Sequence, residues 1–134
     1  MDSLGHVNNA TYFTYCEAAR MGFFERLGVA NYVGEVGPVV ASASCIFKQQ
    51  LRYPACLSID VSCPRVGRTS FTLSYVLSRL DAAGEPEAEP VCLGESVVVW
   101  IDFKSGQATP FPAALRARLE GSPAREEQRP SAGP

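Results

Sequence analysis

At 134 residues, 46% hydrophobic and 19% charged, the chain has the size and composition of one ordinary globular domain, which excludes disorder throughout. A formal net charge of −2 provides no basic field for nucleic acid or an anionic membrane surface. No apolar run approaches the roughly 20 residues that a spanning helix needs, and no basic segment leads into an apolar stretch as a secretory signal would, so a cytoplasmic protein is expected.

The first predicted element is a helix, because Tyr12, Cys16, Ala19, Phe23 and Leu27 recur at spacings of four, three, four and four and so form one apolar stripe. Asn8 or Asn9 suits its N-cap and Gly28 its stop. Phe13 and Phe24 lie off the stripe, which predicts a broad apolar face covered on more than one side. From Val39 the period changes to two. Val39, Ala41, Ala43, Cys45 and Phe47 alternate with more polar neighbours and are expected on a core face. Leu57, Ile59, Val61 and Cys63 repeat the pattern, followed by Phe71, Leu73, Tyr75 and Leu77. The run Val91 to Phe103 is apolar on both faces, as in a central strand or one at a subunit contact, and predicts at least a homodimer.

The connections between these runs are too short for helical crossovers, so the sheet is predicted to be antiparallel and the class α+β. Asp81 to Pro90 reads as a hairpin tip, and Pro112 to Leu119 as a short helix with Pro in its first turn. Residues 1–120 are expected to form the domain. Residues 121–134, polar and proline-containing, are expected to be a disordered tail. The five cysteines, Cys16, Cys45, Cys56, Cys63 and Cys92, contain no C-x-x-C pair and read as small buried thiols. With His6 the only histidine, no bound metal is expected.

The most informative stretch is Asp2-Ser3-Leu4-Gly5-His6-Val7-Asn8-Asn9-Ala10-Thr11-Tyr12, continuing to Glu17-Ala18-Ala19-Arg20. It resembles the signature D-x-x-G-H-V-N-N-x-x-Y followed by E-x-x-R of hotdog-fold acyl-CoA thioesterases of the 4-hydroxybenzoyl-CoA thioesterase type. Arg52-Tyr53-Pro54-Ala55, Gly67-Arg68-Thr69-Ser70 and Val97 to Phe103 also look like that family, nearest its long-chain acyl-CoA branch. The resemblance implies a long central helix wrapped by a curved antiparallel sheet, here with its first strand missing. It also implies a homodimer or homotetramer, an acyl-CoA substrate, and no metal or redox cofactor.

In that family the carboxylate at the position of Asp2 attacks the thioester carbonyl or activates water, and the N-terminus of the helix polarises the carbonyl oxygen. Both roles make physical sense, since a carboxylate is ionised at neutral pH and first-turn N–H groups form a ready oxyanion site. The resemblance implies Asn9 or a neighbour as the N–H donor and Gly5 where backbone passes close to substrate. His6 is a lesser catalytic candidate, and Glu17 is the runner-up carboxylate because another branch uses a helix carboxylate. Glu17 could equally pair with Arg20 on the same helix. Asn8, Tyr12, Tyr53, Arg65, Arg68 and Ser70 complete the candidate substrate-binding set, with Arg65, Arg68 and Lys104 as candidate partners for the phosphates of CoA. The alternatives are a non-hydrolytic binder of acyl thioesters or small apolar ligands and, more weakly, a dehydratase or isomerase.

Overall fold

The computed structural model describes residues 8–52 and 55–122, together with the backbone of Glu126–Gln128 and Ser131–Ala132. The first element is α1, Asn9–Leu27, and every residue of the apolar stripe is buried: Tyr12, Cys16, Ala19, Phe23 and Leu27. The Asn8 side chain caps it by accepting from the Ala10 N–H at 2.9 Å. Gly28 ends it in the left-handed region at φ 67°, where a Cβ would be strained. The Arg118 guanidinium donates to the Leu27 carbonyl at 3.0 Å, satisfying one of the last acceptors of the helix.

A turn of 3-10 helix, Val29–Tyr32, leads into β1 (Val36–Phe47), β2 (Ala55–Val66), β3 (Ser70–Arg79) and β4 (Cys92–Asp102). After α2 (Ala113–Glu120) come the short strands β5 (Glu126–Gln128) and β6 (Ser131–Ala132). All pairings are antiparallel, in the order β1-β4-β3-β2-β5 with β6 also against β2. The stretch expected to be a tail therefore places two segments of backbone beside β2.

The picture of a long central helix wrapped by a curved sheet is corrected by this topology. The sheet is open, since β1 and β2 lie at opposite sides of the β1-β4-β3-β2 order and do not meet. No single helix is central either. α1 and α2 share the apolar face, with Leu115 and Leu119 of α2 as deeply buried as the α1 stripe. Phe111, just ahead of α2, sets its ring edge-on to Trp100 of β4 and Phe71 of β3, and Phe71 in turn meets Phe24 of α1.

β4 is a central strand between β1 and β3, which accounts for its apolar residues on both faces. Val98 and Trp100 are fully buried beneath the helices, while Val97, Val99 and Ile101 on the opposite face are half-buried. β1 departs from its alternation. Its register against β4 shifts between Val40 and Ser42, so Val39 pairs with Val99 on the uncovered face while Ala43 pairs with Ser96 on the covered one. A bulge inserts one residue and exchanges the faces beyond it, so the period-two reading fails there. As the edge strand, β1 leaves Val39, Val40, Ile46 and Phe47 exposed.

Candidate active site

The structure brings the candidate residues of α1 against the end of the sheet where β1 finishes and β4 begins. Tyr12, in the first turn of α1, is buried with its ring 5.4 Å from that of Phe47, and Phe47 pairs with Cys92. At the helix start the Asn8 carboxamide takes the Ala10 N–H and the Asn8 carbonyl takes the Thr11 N–H at 2.9 Å. Among the described residues nothing accepts from the Asn9 N–H, and Asn8 and Asn9 are both exposed. The first turn carries no acidic side chain to offset the positive end of the helix dipole. The exposed start of α1 therefore offers a backbone donor in a positive field, which is what a developing oxyanion needs.

One turn further along, α1 and β1 enclose a groove of about 120 Å³. Phe13, Cys16, Glu17 and Arg20 form its helix wall, Val40, Ala43 and Cys45 its strand wall, and Tyr75 and Ser96 its polar floor. No hydrogen bond or ion pair ties Glu17 to another described residue. Arg20 turns away from Glu17 and reaches the Tyr75 hydroxyl at 3.4 Å. That hydroxyl lies 2.7 Å from the Ser96 Oγ, and both residues are almost wholly buried. Burial pushes the Tyr75 hydroxyl above its ordinary range, against the pull of Ser96 and Arg20. Burial likewise raises the Cys16 thiol well beyond the ordinary thiol range. Gly94 makes this packing possible, because a Cβ there would stand 3.0 Å from the Cys16 Sγ and 3.2 Å from Tyr75.

The remaining expectations divide by position. Asp2, Gly5, His6 and Tyr53 lie outside the described residues. Arg65 and Arg68 are exposed around the β2–β3 hairpin and Ser70 opens β3, where its carbonyl accepts from the Gly67 N–H at 2.7 Å. Lys104 is exposed just beyond β4. Phe71 pairs with Val98, and the Trp100 N–H donates to the Thr69 carbonyl, so these residues sit at the far end of the sheet from Asn9. From Cys92 to Trp100 that is about 25 Å along β4, at the usual rise of a strand. Within one chain, then, Asn8, Asn9 and Glu17 share one end or wall and Arg65, Arg68 and Ser70 occupy the other. Among the described residues no group of three or more His, Cys, Asp or Glu side chains is arranged to hold a metal ion. None of the helices is long and apolar enough to cross a membrane, again among the described residues.

Tyr75, Ser96 and Gly94 did not emerge from the motif reading. The signal available was Gly94 itself, since an isolated glycine inside an apolar strand marks a close approach.

Residues 1–119 match the family model described as the thioesterase-like superfamily. The chain belongs to that superfamily. It is thus a hotdog-fold superfamily protein, related to thioesterases of varied specificity, with its own sheet left open. YsmA of Bacillus subtilis (strain 168) is 35% identical over 107 residues, covering 80% of this chain and 69% of YsmA. Among solved structures, the PA2801 protein from Pseudomonas aeruginosa is 33% identical with a TM-score of 0.77, covering 89% of this chain and 88% of that one. A thioesterase from Thermus thermophilus, solved with coenzyme A and Zn, is 29% identical with a TM-score of 0.71, covering 92% and 88% respectively.

Proposed function

We propose that this chain hydrolyses an acyl-CoA thioester, of a fatty or aromatic acid, to the free acid and CoA. The observation that carries the reading is the start of α1, where Asn8 occupies the neighbouring backbone groups and no described residue takes the Asn9 N–H, inside the matched region. That N–H, aided by the helix dipole, would hold the carbonyl oxygen as negative charge develops on it. The Asp2 carboxylate either takes a proton from a water that attacks the carbonyl carbon, or attacks that carbon itself to give a mixed anhydride that water then cleaves; in both routes the C–S bond breaks, the thiolate leaves and takes up a proton, and the water's oxygen ends in the free acid. Glu17, on the groove wall and paired with no other described residue, is the second carboxylate able to do this. The groove beneath it suits the acyl group. The reaction needs no metal or redox cofactor.

The reading includes a homodimer. β1 is a free edge among the described residues, with apolar side chains exposed along it. Two such edges paired antiparallel would place the Arg65, Arg68 and Lys104 end of one chain at the Asn9 end of the other, within one joined sheet. Those cations could then meet the phosphates of CoA from across the interface.

The test is release of free thiol from short, long and aromatic acyl-CoA esters by the parent chain, Asp2→Asn and Glu17→Gln. Hydrolysis lost only in Asp2→Asn supports the main assignment, and loss only in Glu17→Gln transfers the role to the helix carboxylate. Saturable binding of every ester without thiol release would refute hydrolysis and leave a binding protein.

A further inference from the structure

Three of the five cysteines converge where α1 meets β1 and β4, on three different elements: Cys16 on α1, Cys45 on β1 and Cys92 on β4. The Cys45 thiol is the shared neighbour of the other two, close enough to act on both electrostatically. Cys45 pairs directly across the ladder with Gly94, and the Cys16 sulfur occupies the space that a side chain at Gly94 would fill. Cys16 and Cys45 therefore face each other across the groove that both line. Cys92 stands two residues from Gly94, diagonal to Cys45. Diagonal positions in an antiparallel pair lie about 7–8 Å apart, at or beyond the reach of a disulfide. The thiols also differ in access, since Cys45 is half-buried whereas Cys16 and Cys92 are buried.

We propose that Cys45 and Cys16 form a reversible redox site, in which a peroxide oxidises Cys45 and Cys16 then closes a disulfide that fastens α1 to β1 across the groove. In the first step the Cys45 sulfur attacks one peroxide oxygen. It loses its proton and becomes a sulfenic acid, while hydrogen peroxide is reduced to water. In the second step the Cys16 sulfur attacks the sulfenic sulfur, the S–S bond forms, and the hydroxyl leaves with the Cys16 proton as a second water. The accessible thiol is attacked first and the buried one resolves it, an order that protects Cys16 from direct oxidation. The disulfide would span the groove and tie the edge strand to the helix. Its effect on hydrolysis, though not its formation, rests on the groove being the acyl slot.

The experiment treats the purified full chain with hydrogen peroxide and maps disulfides by mass spectrometry of peptides, beside a free-thiol titration under denaturing conditions and the thiol-release assay. The expected result is a link between the Cys16 and Cys45 peptides, a loss of two titratable thiols, and hydrolysis that falls in proportion to the cross-linked fraction and returns with dithiothreitol. Cys92→Ser should behave as the parent, and Cys45→Ser should lose no thiol pair. Cys16→Ala should leave Cys45 trapped as sulfenic acid, detectable with a dimedone probe. The mapping on the parent needs no variant, so a misfolded variant does not blunt the test. A Cys45–Cys92 link, a link between chains, or Cys45 oxidised to sulfinic acid with Cys16 still a free thiol would overturn the proposal. A Cys16–Cys45 link with unchanged hydrolysis keeps the redox site and removes the groove from the proposed function.

Discussion

At the residue scale, the candidate site depends on the close fit between α1 and β4. Gly94→Ala would drive a methyl into the Cys16 sulfur and Tyr75, with its Cβ only 3.0 and 3.2 Å from them. Overpacking of this kind costs about 1–3 kcal/mol, so the urea midpoint should fall with an unchanged slope. Tyr75→Phe removes the partner of a buried Ser96 hydroxyl and should cost about 1–3 kcal/mol by the same measurement. The buried acids also set the response to pH. The Cys63 thiol is pushed up to about 11 and the Cys92 thiol to about 12 from the ordinary 9.0, in both cases mainly by burial, and Cys16 and Tyr75 shift in the same direction. Their folded pKa values exceed the unfolded ones, so the folded state holds more protons in alkali. Their contribution is complete below pH 9.0 and is lost progressively as pH rises through the folded values. A melting temperature followed from neutral pH upward should show these groups contributing a steady term and then a decline above that point. A rise instead would mean that the thiols are not buried as described.

At the scale of elements, α1 was the most legible part of the chain and β1 the least. The stripe of α1 follows from spacing alone, because a helix face is set by neighbours three and four residues away. Its caps are equally local. Asn8→Ala removes the bond to the Ala10 N–H and should cost about 1 kcal/mol in thermal or urea unfolding. Under the proposed function it should also lower kcat by loosening the turn that presents Asn9. The alternation of β1 was visible but misread, since nothing in Val39-Val40-Ala41-Ser42 announces the register shift that sends Val39 and Ala43 to opposite faces. A bulge is fixed by the partner strand, and the partner of β1 is β4, far away in sequence. The Glu17 and Arg20 spacing likewise suggested an ion pair, yet Arg20 goes to Tyr75, on a strand the helix rule cannot see.

For the whole molecule, the open edge of β1 is the feature with most consequence. An exposed edge with apolar flanks is a template for pairing, and natural chains that remain monomeric blunt such edges with charge. If two β1 edges pair, Val39→Lys combined with Ile46→Lys should shift the mass measured by light scattering from dimer to monomer and leave α1 and the core folded. Thiol release should fall with it, because the cations at the far end of the sheet would no longer face Asn9. A parent chain that is monomeric at assay concentration, yet active, would end the interface part of the proposal.

The sequence by itself determined the α+β class, the order of one helix, four main strands and a second helix, and membership of a superfamily whose motif lies at the start of α1. Those features depend on local periodicity, caps and contiguous residues. Tertiary structure alone decided that the sheet stays open, that two helices share its face, and that Tyr75 and Ser96 build the floor beneath Glu17. It also decided that Arg65, Arg68 and Ser70 stand at the opposite end of the sheet from Asn9. These outcomes depend on which distant strands pair and in what register, and no window of neighbouring residues carries that information.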